Sequence, residues 1–222
     1  MVIAALNTSA TTLRWALLFI AHHPDVQHKV HCEIDAHIGT ERALTYADRS
    51  QLPYVETVLQ EVLRFATTAP TVNRRAVRDF RLGAYEVRAD TTIAMNLYGI
   101  FRDPRVWSDP THFNPDANFP LGASKKHDAV DYLCPIGVGK RVCVGTGSQL
   151  YPFGIGKRVC PGETLARQEL FLLFAGLMLV FRVAADPSVP LPPEDVGTPG
   201  ITRGPLPFKV QFISRSKESK YE

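Results

Sequence analysis

The sequence predicts a mainly α-helical fold with small antiparallel β-sheets, an α+β class, from three observations. Apolar residues recur every three or four positions in several long stretches, a β-branched and aromatic run lies among them, and a proline-rich stretch without periodicity follows that run. Leu6, Leu13, Leu17 and Ile20, within alanine-rich sequence, predict a helix from the first residues to about Ala21, stopped by His22-His23-Pro24. Pro24 suits the first turn of a second helix, in which Val26, Val30, Ile34 and Ile38 recur every four residues before Gly39 supplies a C-terminal cap. A third helix starts near Pro53, with Val55, Val58, Leu59 and Val62 on one face. From Arg74 to about Asn96 the pattern is that of a small antiparallel sheet turning at Gly83-Ala84. Pro104, Pro110, Pro115, Pro120 and Pro135 then mark a long loop pinned by short turns. Glu163 to about Phe181 is helical again, followed by a proline-rich turn, a last hairpin to Ile213 and a charged tail.

The 222 residues are 45% hydrophobic and 21% charged, a globular balance that excludes collagen, coiled coil and wholesale disorder. That length holds one large or two small domains. With 25 Lys+Arg against 22 Asp+Glu spread along the chain, there is no clustered basic face, so no nucleic acid is expected as a partner. Cys32, Cys134, Cys143 and Cys160 form no secreted-type framework, and reduced thiols facing the cytosol follow. The apolar run Leu170 to Phe181 is 12 residues long, short of the ~20 that span a bilayer. The first residues lack the basic segment of a signal peptide, and the chain is expected to begin inside an element.

Residues 135–145 and 152–162 match at 8 of 11 positions, 17 residues apart, each containing Gly-Lys-Arg-Val-Cys. In the second copy Gly154 and Gly156 permit a tight turn, Cys160 falls where a helix begins, and Pro161 fits the first helical position. Unpaired helix amides and the positive end of the dipole favour a thiolate, the form that ligates a soft metal. Arg158 is placed to pair with an anion beside such a metal, and Phe153 gives an apolar wall. A phosphate-cradling loop needs Ser or Thr after Gly-Lys, where Arg158 stands, and a dinucleotide loop needs a glycine at Val159.

This segment resembles the haem-ligand signature of the cytochrome P450 family, Phe-x-x-Gly-x-Arg-x-Cys-x-Gly, with Phe153, Gly156, Arg158, Cys160 and Gly162 at every fixed position. The resemblance runs along essentially the whole chain, is of the microsomal class, and implies the C-terminal part of the P450 fold. It implies haem (iron protoporphyrin IX) with Cys160 as its metal ligand, and insertion of one oxygen atom into an apolar small-molecule substrate. Electrons would come from a flavoprotein reductase, with Lys157, Arg158, Lys140 and Arg141 adding positive potential toward it. It further implies residence on the cytosolic face of the endoplasmic reticulum membrane, through an N-terminal anchor that would precede this chain. The competing expectation is a truncated remnant that binds haem poorly, or without turnover.

Glu61-x-x-Arg64 resembles the family's structural ion pair behind the haem; taken alone, such a pair is usually a solvated one worth well under ~1 kcal/mol. The family's third partner, Arg or His, is replaced by Ala117 in Phe113-Asn-Pro-Asp-Ala-Asn-Phe119, so a weaker lock is expected. Residues 4–9 resemble the distal helix over the haem, with Ala5 in place of its glycine, Asn7 in place of its acid and Thr8 kept as the alcohol. An amide cannot ionise, so slow or uncoupled turnover is expected, unless the segment is an ordinary polar patch. Arg75, with Arg74 as the alternative, resembles the basic residue sent to a haem propionate; two exposed arginines on an edge strand are the plainer reading. His28, His31 and Cys32 share a helical face but lack a fourth zinc ligand, and a solvated face is preferred. The first copy lacks the phenylalanine and the following helix, so residues 135–151 read as an inserted duplicate and Cys143 as a bystander.

Overall fold

A computed structural model describes residues 2–39, 42–120, 150–154 and 156–215. Three helices open the chain: α1 (Val2–His22), α2 (Pro24–His37) and α3 (Pro53–Ala66). The break between α1 and α2 falls at His23, and Pro24 opens α2 as its missing N–H permits. Gly39 closes α2 as expected: at φ +67 its N–H, 3.2 Å away, donates to the Ile34 carbonyl, which also accepts from Ile38. The apolar face of α2 docks Val26, Val30 and Ile34 in the core.

Helix α3 is buried nearly all round and is finished at both ends by residues from elsewhere in the chain. Leu52, at its N-cap, offers no side-chain acceptor, and the Glu33 carboxylate from α2 takes the N–H groups of Tyr54 (2.7 Å) and Val55 (2.8 Å) instead. At its C-terminus Thr67 turns left-handed at φ 42 and donates its hydroxyl to the Arg64 carbonyl. Arg102 donates to the Phe65 carbonyl and Arg203 to that of Ala66. These two guanidiniums lie over the ring of Tyr98, at 3.8 and 5.3 Å from its centroid. Burial pushes the Arg102 guanidinium down to about 10 and lowers Arg203 as well, yet both stay cationic at neutral pH.

The expected single sheet is two separate ladders. Strand β1 (Thr71–Arg75) pairs antiparallel with β4 (Thr92–Asn96), Thr71 opposite Asn96 and Arg75 opposite Thr92. Between them β2 (Phe80–Leu82) and β3 (Tyr85–Val87) form their own hairpin, turning at Gly83 with φ +59. The chain leaves the first ladder at Ala76, whose N–H donates to the Thr91 carbonyl, and the Asp79 carboxylate takes the Ala89 N–H, so the segments never form one continuous sheet.

Short helices α4 (Leu97–Ile100) and α5 (Pro115–Asn118) bracket the proline-rich loop. Helix α6 (Glu163–Val180) runs directly into β5 (Phe181–Ala185), which pairs with β8 (Val210–Ser214); β6 (Gly197–Thr198) and β7 (Gly204–Pro205) make a minimal hairpin between them. The β5 edge facing α2 is satisfied by a buried side chain: Gln27 donates to the Val183 carbonyl (2.8 Å) and accepts its N–H (2.6 Å). The core gathers α1, α3, α6 and the proline-rich loop, with Phe19 stacked on Trp15 (5.3 Å) and Phe113 (4.7 Å) and tilted against Phe65.

The segment after β5 is tied to the α1–α2 corner by His22 on the Pro192 carbonyl (2.9 Å) and by His23 on Glu194 (2.7 Å). The Glu194 carboxylate raises the His23 imidazole above its ordinary 6.5 against the opposing effect of burial. A raised histidine contributes stability that is complete below the unfolded value and lost as pH climbs through the folded one. Glu194→Gln is therefore expected to cost about 1 kcal/mol below the ordinary imidazole value, a gap that closes as pH rises through the raised one. Urea melts across that range give the measurement; a gap independent of pH removes the ion pair from the account.

Candidate functional site

The cysteine loop closes on itself. Gly154 (φ +81) donates to the Tyr151 carbonyl, Gly156 (φ +76) opens a single 3-10 turn ending at Arg158, and the Cys160 N–H returns to the Phe153 carbonyl at 2.9 Å. Both glycines hold left-handed backbone that a side chain would strain. Cys160 lies just ahead of α6 but not at its first residue, and this corrects the expected register. Pro161 and Gly162 form a turn, Gly162 is the N-cap, and the helix starts at Glu163, whose N–H donates to the Cys160 carbonyl at 3.3 Å. The Cys160 N–H is already taken by Phe153, which holds the cysteine in the loop instead of the helix.

The Cys160 thiol is exposed, and a Cβ added at Gly162 would stand 3.9 Å from its sulfur, so the glycine leaves that flank bare. A Cβ added at Gly156 would meet nothing within 4 Å. Phe153 is packed against the core on the loop's inner side, with the Arg167 guanidinium 5.0 Å from its ring and Arg167 itself paired with Glu163. A hollow of about 450 Å³ behind the loop is walled by Gln60 of α3, Phe153, Gly154, Glu163 and Arg167. Cys160 is not one of its walls, and its side chain is exposed. An accessible soft donor, two side-chain-free positions and an apolar backing fit a flat metal-centred group such as haem lying across the loop.

Of the two arginines expected near that group, Arg74 reaches the loop, its Nη2 donating to the Arg158 carbonyl at 3.2 Å. Arg75 instead pairs with Asp90 at 2.8 Å, both side chains largely in solvent. The Arg158 side chain is exposed. On α1, Asn7 is exposed and its Oδ1 accepts from Thr11 at 3.5 Å, while Thr8 is half-buried and its carbonyl accepts from Thr12 at 2.9 Å. Thr12 in turn shares a hydrogen bond with Thr68, beyond the end of α3. Helix α1 is joined to α6 by Ser9 on Glu169 at 3.0 Å. Cys143 and residues 135–149 of the first copy lie outside the described residues.

The Glu61–Arg64 pair is fully buried, with bidentate contacts of 2.6 and 2.7 Å. The remaining guanidinium donors reach the carbonyls of Phe101 (2.7 Å), His112 (2.9 Å) and Pro110 (3.1 Å). The expected gap at Ala117 is filled one residue later. Asn118 donates its amide to Glu61 Oε1 at 3.0 Å, the Asn114 N–H donates to the same oxygen, and Asn118 also holds both backbone groups of Asp109. The third partner is thus present as a neutral amide in place of a cation. Sequence reading missed it because the family pattern directs attention to position 117, whereas the short helix α5 turns position 118 toward α3.

The family model described as Cytochrome P450 matches this chain over residues 1–148 and again over 146–212. A steroid 17-alpha-hydroxylase/17,20 lyase of Squalus acanthias is 36% identical over 213 residues, covering 96% of this chain and 38% of that protein. Human cytochrome P450 2U1 is 35% identical over 214 residues, with 96% and 36% covered. A solved zebra fish cytochrome P450 with progesterone superposes with a TM-score of 0.77 at 31% identity, covering 93% of this chain and 43% of that one. The chain spans well under half the length of these relatives.

Removing one member of a buried pair strands the other charge, whereas removing the amide leaves Glu61 with Arg64 and the Asn114 N–H. Arg64→Ala is expected to cost about 3–5 kcal/mol, and Asn118→Ala about 1–3 kcal/mol. Chemical denaturation monitored by circular dichroism ranks them; an Asn118→Ala protein as stable as the parent would show that the amide has no part in the lock.

Proposed function

The chain belongs to the cytochrome P450 family, and on that premise we propose that the protein carrying it is a microsomal-type haem monooxygenase acting on an apolar organic substrate. Haem, when bound, supplies the oxygen-activating redox chemistry, and a thiolate ligand pushes electron density toward it. The observation that carries the reading is the exposed Cys160 in a self-closed glycine loop directly ahead of α6.

In this reading Cys160 Sγ ligates the iron, Gly156 and Gly162 leave room for the flat group, and Phe153 backs the loop from the core. Arg158 and the β1 arginines hold the acidic edge of the cofactor; Arg75 is the residue proposed from the sequence, and the bond from Arg74 to the loop makes Arg74 the better placed of the two. The Glu61–Arg64 pair keeps the proline-rich loop against α3, behind the cysteine loop. Thr8 Oγ1 passes a proton on the distal side. Asn7 orients water there without ionising, because an amide has no titratable proton at neutral pH. A flavoprotein reductase supplies electrons. Residence at the endoplasmic reticulum membrane is part of the same reading, on the likeness to microsomal relatives; among the described residues no helix is long and apolar enough to cross a membrane.

Residues 135–151 are proposed to be an inserted duplicate of the cysteine loop. The two family-model matches, meeting at residues 146–148, support this, as does the run of identities between the copies.

Reconstitution of the chain with haem, followed by reduction under carbon monoxide, tests the ligand. The expected result is a thiolate-type ferrous-CO band that disappears in Cys160→Ala and persists in Cys143→Ala; the reverse pattern moves the site to the first copy. In a protein extended to the length of its relatives, Asn7→Asp is expected to raise product formed per electron consumed by a few-fold, on the order of the gain from a positioned proton donor. Unchanged coupling there takes Asn7 out of proton delivery.

A further inference from the structure

Helix α2 carries His28 and Cys32 four residues apart on its outer face, both exposed. Their side chains already converge, with Cys32 Sγ 3.6 Å from His28 Nε2. Four-residue spacing brings two helical side chains over one point, the same spacing that converges two histidines in helical zinc motifs. A tetrahedral ion with a sulfur ligand at ~2.3 Å and an imidazole ligand at ~2.0–2.1 Å holds those two atoms about 3.5 Å apart. The observed separation matches that between two ligands of one tetrahedral ion.

The third residue of the face does not join them. His31 Nε2 is turned inward onto the Phe181 carbonyl at 3.2 Å, and burial together with the nearby Arg215 pushes its imidazole down to about 4. Lys29, the adjacent surface cation, is committed to Asp116 at 2.7 Å. Asp25 lies one turn toward the helix N-terminus on the same stripe as His28. Among the described residues no group of three or more His, Cys, Asp or Glu is placed to enclose a metal, so the site is open and two-armed.

We propose that His28 and Cys32 form a surface chelate for a thiophilic divalent ion such as Zn2+, with water filling the remaining positions. Binding replaces the Cys32 thiol proton, which leaves to solvent, and uses the neutral imidazole nitrogen of His28 without any redox change. The site is separate from the cysteine loop, on a different helix, and needs neither haem nor the oxygenase reading.

Residue-resolved alkylation tests it in the full chain. With Zn2+ on the order of 10 μM, iodoacetamide labelling of Cys32, read by peptide mass spectrometry, is expected to slow about tenfold and to recover with EDTA. His28→Gln is expected to abolish that protection at unchanged helicity, and Lys29→Ala to keep it. Equal labelling of Cys32 with and without Zn2+, or protection that survives His28→Gln, overturns the site; the carbon monoxide spectrum of Cys160 is unaffected by either result.

Discussion

Taking Glu61 and Arg64 out of water costs several kcal/mol per ion even after relaxation, and their mutual attraction repays this only when every remaining donor and acceptor is satisfied. Here that condition is met by backbone. The Arg64 donors end on the carbonyls of Phe101, Pro110 and His112, and Glu61 takes the Asn114 N–H and the Asn118 amide. Because the compensating groups all belong to residues 101–118, the pair cannot be buried unless that loop is folded against α3. A segment rich in proline and poor in periodicity thus obtains a fixed conformation from a single pair of charges, rather than from regular hydrogen bonding of its own.

The same helix organises the rest. Its N-terminal amides need Glu33 from α2, and its C-terminal carbonyls need Arg102 and Arg203 from two further segments. Each of these contacts meets an orphan backbone group left by helix geometry, so α3 is complete only when α2, the loop after α4 and the turn between β6 and β7 are in place. The cysteine loop inherits this order at one remove. Gln60 of α3 shares a hollow with Phe153 and Glu163, and β1, which follows α3 closely, sends Arg74 to the loop's carbonyl. A site residue with an exposed side chain is therefore held by a framework whose own polar groups are buried.

Local chemistry made much of this legible. Gly39 as a cap, Pro24 at a first turn and Gly83 in a hairpin are set by φ preferences that belong to single residues. Glu61-x-x-Arg64 was visible as a spacing, but its burial was not, because three-residue spacing is the same for a solvated pair and a sequestered one. Asn118 escaped for a related reason: an amide that bonds a carboxylate across two elements leaves no periodic trace. The start of α6 at Glu163 was legible, but Pro161 does not take the first helical position it suits, because the Cys160 N–H, bonded to the Phe153 carbonyl, keeps that turn in the loop. The choice between Arg74 and Arg75 depended on strand register, which alternates side chains between faces and is fixed by the pairing of Arg75 with Thr92.

Residues 135–145 repeat much of the cysteine-loop sequence, and the described copy is held by partners that lie outside the motif. The turn closed by Phe153 and Cys160 is internal to one copy, so its glycines repeat readily. The anchors that fix the second copy do not repeat: Arg74, Gln60, Arg167 and α6 each occur once. Position 136 holds Ile where the second copy has Phe153, so even the ring stacked under Arg167 is unique. The described copy runs directly into α6, which places Cys160 beside the positive end of a long helix. The placement of the described copy thus rests on residues of α3, β1 and α6 that the shared motif does not contain.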